Sequence, residues 1–306
     1  RETFYRAWST RASDEGDKAD LDNSDVIEEI LALRHEAANL VGFDNYADYS
    51  LATKMAGDVD EVLEFLTELA ERSRANATEE FEEIQSAAGG ALEAWDVTYW
   101  LEKLKQSKFS VSDEVLRQYF PFAVVSNGMF SLAERLYGIE VVEVPEVPVW
   151  HDTVRYFELR NPDGRLVGSF YTDLFARAGK RGGAWMDECV VRKDLDGDSE
   201  APVGYLVCNF PPPDADGDSL LTHTDVVTLV HEFGHTLHHL LTRIDYPSIA
   251  GINGVPWDAV ELPSQFMENY AWRYEVLAGA SSHHETGEPL PRELYDKLDA
   301  SRHFGE

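Results

Sequence analysis

The chain has 306 residues, 43% of them hydrophobic and 27% charged, which is enough for about two domains and a substantial buried core. Its 57 acidic residues against 26 basic ones leave a net charge of −31, a surface that excludes nucleic acid and anionic membranes as partners because both need a positive footprint. No apolar run approaches the roughly 18 residues that a membrane-crossing helix needs.

The chain opens on Arg1-Glu2-Thr3-Phe4-Tyr5-Arg6, a polar helical start without the apolar segment of a secretory signal. Position 1 is Arg rather than Met, and residues 294–306 form a helical pattern that stops without a cap, so an excerpt of a longer chain is expected. Ser24-Asp25 starts a helix over 26–41 that Gly42 closes. A second helix is predicted over 58–74, with Val59, Val62, Leu63, Leu66 and Leu69 on one face. A third, over 76–90, is more polar, and its Glu79-Glu80 and Glu82-Glu83 read as a solvated face. His35-Glu36 lacks the second histidine of a metal motif and is read as surface helix. Further helices fit 97–108, 113–119 and 127–137.

The pattern changes near Ile139, dividing a helical region, 1–138, from a second region, 139–306. Valine alternates with acid and proline over 140–149, as in an edge strand. Strands also fit 154–159, 166–175 and 203–210, between turn signals at Asn161-Pro162-Asp163-Gly164, Gly182-Gly183 and 194–198. After Pro211-Pro212-Pro213 the chain returns to helix. Cys189 and Cys208 lack CxxC spacing and sit among apolar residues, so two small buried hydrophobes in a reducing, intracellular setting are predicted. The expected fold class is mainly α with a small β-sheet (α+β).

The chemistry concentrates in His231-Glu232-Phe233-Gly234-His235, inside a helix predicted over 225–241. Thr222 with Asp225 three residues later resembles a capping box. Val226, Val227, Leu229, Val230, Phe233, Leu237, Leu240 and Leu241 make the helix as apolar as a buried one. Residues i and i+4 share a helical face, so both imidazoles can reach one ion. Glu232 points about 100° round the axis, where it can act as a base on water instead of ligating. A catalytic zinc site needs three protein ligands and an open position. Past the glycine-rich loop 249–256, the helical stretch 257–277 holds Glu261, Glu268 and Glu275 on one face, and periodicity does not choose among them.

The run Val230-His231-Glu232-Phe233-Gly234-His235-Thr236-Leu237-His238, followed by Trp257-Asp258-Ala259-Val260-Glu261-Leu262-Pro263-Ser264-Gln265, resembles the thimet oligopeptidase family of zinc peptidases. So do Arg1-Glu2-Thr3, Phe43-Asp44-Asn45-Tyr46-Ala47, Gly168-Ser169-Phe170-Tyr171, Lys180-Arg181-Gly182-Gly183-Ala184-Trp185-Met186-Asp187 and Glu285-Thr286-Gly287-Glu288-Pro289-Leu290-Pro291. The resemblance covers essentially the whole chain. It implies a zincin-like catalytic region with one Zn2+ per chain held by His231, His235 and Glu261. It further implies Glu232 as general base and proton shuttle, and Glu268 orienting a ligand imidazole. Read without the family, Glu268 is an ordinary acid at the edge of the core, and His238 and His239 are structural.

The resemblance also implies a cytoplasmic metalloendopeptidase acting on short peptides, which add as a strand to a sheet edge beside the zinc. Residues 203–210 are best placed to offer that edge, with a plain core strand as the other reading. In the family, tyrosine and histidine donors that steady the reaction's intermediate lie beyond the equivalent of residue 306, so this stretch is expected to hold metal yet hydrolyse poorly. The alternatives are a peptidyl-dipeptidase of the same family, a non-catalytic metal-stabilised peptide-binding protein, and an acidic interaction module with incidental histidines. The intact Glu232 argues against a pure binder.

Overall fold

The computed structural model describes residues 1–195, 197–213 and 219–304, and it forms two compact units: Arg1–Lys108 with the residues from His303 on, and Phe109–Arg302. The division falls earlier than the change of pattern near Ile139. The helix over 122–137 that precedes Ile139 buries Val125, Met129, Leu132 and Ala133 in the same core as the strands, and so belongs to the second unit.

The first unit is helical: α1 (Glu2–Ser9), α2 (Ser24–Leu40), α3 (Tyr46–Leu51), α4 (Val59–Ala88) and α5 (Ala94–Phe109). The two helices predicted over 58–74 and 76–90 are one helix of 30 residues, α4. No glycine or proline interrupts it, and the hydroxyls of Ser73 and Thr78 donate to the helix's own carbonyls at Leu69 and Arg74 instead of breaking it. The Asp58 carboxylate accepts the Glu61 N–H at 2.8 Å at its start, and Gly89, at φ 78°, ends it. Among the described residues, Ala38 and Ile84 are the unit's only buried hydrophobics.

The second unit begins with α6 (Asp113–Leu116) and α7 (Phe122–Tyr137). The strands follow: β1 (Glu140–Glu143), β2 (Arg155–Arg160), β3 (Leu166–Phe175), β4 (Trp185–Val190), β5 (Lys193–Leu195), β6 (Asp198–Glu200) and β7 (Val203–Phe210). The remaining helices are α8 (His223–Leu240), α9 (Leu262–Glu268), α10 (Tyr274–Gly279) and α11 (Arg292–Ala300). The main sheet has the order β1-β2-β3-β7-β4, antiparallel except for the β3–β7 pair, while β5 and β6 form a separate hairpin over the predicted turn, whose Asp196 lies outside the described residues. On the inner face of the sheet Phe157 and Phe170 meet Phe130 of α7 and Phe233 of α8, with ring centroids 5.0–6.2 Å apart. That cluster seats α8 against the strands.

Four expectations are corrected. Residues 203–210 do not form an edge: β7 lies between β3 and β4 and its inward residues are buried. Among the described residues the strand at the edge on that side is β4, which alternation alone did not disclose because a register shift between Glu188 and Val190 breaks the period. Cys189, at that shift, is exposed, and its sulfur accepts the Tyr205 hydroxyl at 3.0 Å. The stretch 257–277 is not one helix; Pro263 starts α9, and 3-10 turns at Trp257–Ala259 and Asn269–Trp272 flank it. The helical pattern read over 294–306 is shorter: α11 stops at Ala300, where the Ser301 N–H donates to the carbonyls of Lys297 and Leu298, and residues 305–306 lie outside the described residues.

Candidate metal centre

Helix α8 starts on a complete capping box. Thr222 Oγ1 accepts the Asp225 N–H at 3.1 Å and Asp225 accepts the Thr222 N–H at 2.8 Å. One turn separates His231 from His235, whose ring centroids stand 4.9 Å apart. Gly234 lies between them on the side facing α9. A Cβ there would stand 2.7 Å from the Ser264 Cα, so only glycine lets the two helices approach this closely.

That approach delivers Glu261, the residue just before α9. Its Oε2 lies 3.2 Å from His231 Nε2 and 3.0 Å from His235 Nε2. Donors bound tetrahedrally at 2.0–2.2 Å stand roughly 3.3 Å apart, so both nitrogen-to-oxygen separations are of the size that donors to one shared ion have. The opposite edge of His231 points Nδ1 at Glu268 Oε1, 2.6 Å away. A carboxylate accepts, so Nδ1 carries the proton and Nε2 keeps its lone pair for the shared point. Ser264, fully buried, donates its hydroxyl to Glu261 Oε2 at 2.9 Å.

Charge is unevenly distributed over this group. Burial raises the Glu232 carboxyl from 4.5 to about 7; the Glu261 charge adds to the rise, while His231 and the Met186 backbone N–H oppose it. Burial works the same way on Glu261, but the Ser264 hydroxyl and the two histidines outweigh it and hold that group below its ordinary value. Burial also lowers His235, against the pull of Glu261. One carboxylate is thus kept ionised against the imidazoles, and its neighbour keeps a proton near neutrality.

The chain matches Peptidase family M3 over residues 1–306. It belongs to that family. This M3 chain is 54% identical to Oligopeptidase A of Escherichia coli (strain K12), over 99% of its own length and 46% of that protein's. It is 44% identical to a probable cytosolic oligopeptidase A of Arabidopsis thaliana, over 99% of its length and 44% of the relative. To a dipeptidyl carboxypeptidase of Escherichia coli it is 37% identical, over 97% and 44%. The chain spans about half the length of the curated relatives it matches.

Of the three glutamates that share one face in the sequence pattern, the structure of this M3 chain brings Glu261 and Glu268 to the histidines. Glu275, on α10, sits near Arg292 instead, because the 3-10 turn after α9 redirects the chain. His238 keeps a buried Nδ1 without a partner, and His239 donates Nε2–H to the Val190 carbonyl of β4 at 3.0 Å. A second group, His283, His284 and Glu285, lies on an exposed turn, with His283 Nδ1 already accepting the N–H groups of Glu285 and Thr286. Sequence reading passed over Ser264, although a serine three residues after an acid is well placed to bond it. It also passed over the anchoring of β4. Ahead of that strand, Asp173 accepts from Trp150 at 2.9 Å and Arg177 at 2.6 and 2.8 Å and pairs with Lys180 at 2.9 Å, while Asn209 holds the carbonyls of Arg181 and Gly183.

Proposed function

We propose that this chain carries the metal-binding and proton-transfer part of a zinc metalloendopeptidase that hydrolyses short peptides in the cytoplasm. The observation that carries the reading is the convergence of His231 Nε2 and His235 Nε2 on Glu261 Oε2, with Glu232 buried beside them. Those three residues would hold the metal, and Glu268 fixes the ring of His231 through Nδ1. A zinc ion there supplies Lewis acidity toward a peptide carbonyl and toward water.

Glu232 performs the proton work. Raised to about 7, its carboxylate takes the proton of the attacking water and returns it to the leaving amide nitrogen. β4 has a strand neighbour on one side only and lies beside α8, and an extended peptide adds along its other side as a sixth strand. The higher identity to proteins named oligopeptidase A favours cleavage within a peptide over removal of C-terminal dipeptides. The relative named cytosolic supports the location.

The test is zinc content of the purified chain beside Glu261→Ala and Glu232→Gln, with a quenched fluorescent oligopeptide followed in parallel. The expected result is about one zinc in the wild type, lost in Glu261→Ala and kept in Glu232→Gln, with turnover falling about 100- to 10,000-fold in the latter. Zinc without wild-type turnover would place essential groups outside these 306 residues. No zinc in the wild type would overturn the ligand assignment and leave the non-catalytic readings.

A further inference from the structure

An edge strand is held by ladder hydrogen bonds on one side only. β4 is such a strand, and its ladder to β7 is broken between Glu188 and Val190. A second support stands at that break. His239, fully buried on α8, donates Nε2–H to the Val190 carbonyl at 3.0 Å, and Asn253 donates to Glu188 Oε2 at 2.7 Å.

His239 continues the stripe of His231 and His235 at i+8, one turn further along the same face. One rigid helix therefore carries both the imidazoles of the metal centre and the anchor of the strand. The ring sits in a slot that Gly251 leaves open and that Gly204 lines at van der Waals distance. A Cβ on Gly251, which has φ 65°, would stand 2.4 Å from His239 Nδ1, and one on Gly204 of β7 would stand 3.7 Å from Cδ2. Packing is so close that Nδ1 finds no hydrogen-bond partner. A buried acceptor left unpaired is a cost that an aliphatic side chain of the same volume would avoid. The Nε2–H bond to Val190 is what the imidazole supplies in return.

We infer that His239 is a positioning residue for peptide binding: it fixes the C-terminal half of β4 at a set place beside the metal centre, so that extended peptides pairing along the whole strand are held in register with it. The inference rests on the reading above that the β4 edge receives the peptide. It concerns peptides long enough to reach Val190; a peptide pairing only near Trp185 does not depend on this anchor.

The experiment compares the zinc-loaded chain with His239→Leu, His239→Gln and Gly251→Ala, whose new methyl displaces the ring. Amide hydrogen exchange over residues 185–190, anisotropy of a dye-labelled nine-residue peptide, and KM and kcat for that peptide and for a four-residue one are measured. His239→Leu and Gly251→Ala should speed exchange at β4 and raise Kd and KM for the long peptide about 3- to 10-fold. kcat and zinc content should stay within two-fold, and the short peptide should be little affected. His239→Gln, which restores a donor, should return KM toward the wild type. If the wild type binds and cleaves while His239→Leu matches it in exchange and KM, or loses kcat and zinc together for both peptides, His239 is a core residue and the inference fails alone. If the wild type neither binds nor cleaves, the peptidase reading fails and takes the inference with it.

Discussion

The two units of this chain are stabilised differently. The second unit surrounds α8 with a continuous core in which Phe170, Phe233, Leu206, Leu229 and Leu240 are all but fully buried. The first leaves Ile27, Leu31, Leu63, Phe65, Leu66 and Leu69 more than half exposed and depends on local devices: helix caps, the ion pair between Lys108 and Glu83, and Arg1 and Arg6 over the rings of Tyr99 and Trp95. Buried apolar area is what holds a site within tenths of an ångström, so the chemistry lies where the core is. The helices of the first unit have the periodicity of packed elements without the burial.

The contrast can be broken by substitution. Phe233→Ala removes a ring from the junction of α7, the sheet and α8 and should cost about 3–5 kcal/mol in urea unfolding. Leu66→Ala, equally hydrophobic by sequence, should cost under about 0.5 kcal/mol because the side chain is already 52% exposed. Equal losses would show that the first unit buries that face in solution.

A pH series sharpens it next. Glu232 is raised from 4.5 to about 7, so between those values the folded metal-free chain keeps a proton that the unfolded chain has released. This group's contribution therefore favours folding at the acid end and is lost as pH rises through the window, by roughly 2–3 kcal/mol at most. Unfolding at pH 5 and pH 8 in a chelator should show that loss in the wild type and a smaller one in Glu232→Gln. A wild-type profile that matches the variant's would remove burial as the cause.

The most local effect belongs to the first unit. Asp58→Ala deletes the cap of α4 and should cost about 1 kcal/mol, read as faster amide exchange in the first turns of α4 with exchange in α8 unchanged. Spread of that effect into α8 would mean that the two units unfold as one.

The same contrast explains what could be read in advance. The capping box, the apolar flanks and the i, i+4 histidines are local signals, and α8 emerged within two residues of its predicted bounds. The strands β2, β3 and β7 were likewise visible as runs of one period, and the helix predicted over 127–137 is the later part of Phe122–Tyr137, whose first five residues were not anticipated. β4 was not, because a bulge destroys alternation and an edge strand is defined by what is missing beside it. The choice of Glu261 and Glu268 over Glu275 depended on the break after α9, a tertiary event that a seven-residue spacing does not encode. The separation of two helices inside 59–88 failed for the opposite reason: a polar stretch resembled a boundary although nothing in it stops a helix.

Gly234 has a consequence for how the five-residue motif is recognised. Its place between Glu232 and His235 is usually written as a wildcard, yet here a single methyl would meet the backbone of α9. Two of the proposed metal donors ride on one helix and the third stands just before the next, so the gap between two backbones sets whether the trio can close on a common point. A glycine at that letter therefore carries information about the partner helix, much as the histidines carry it about the ion. Scans that weight it accordingly would separate sites of this construction from chance matches on helices with bulkier neighbours.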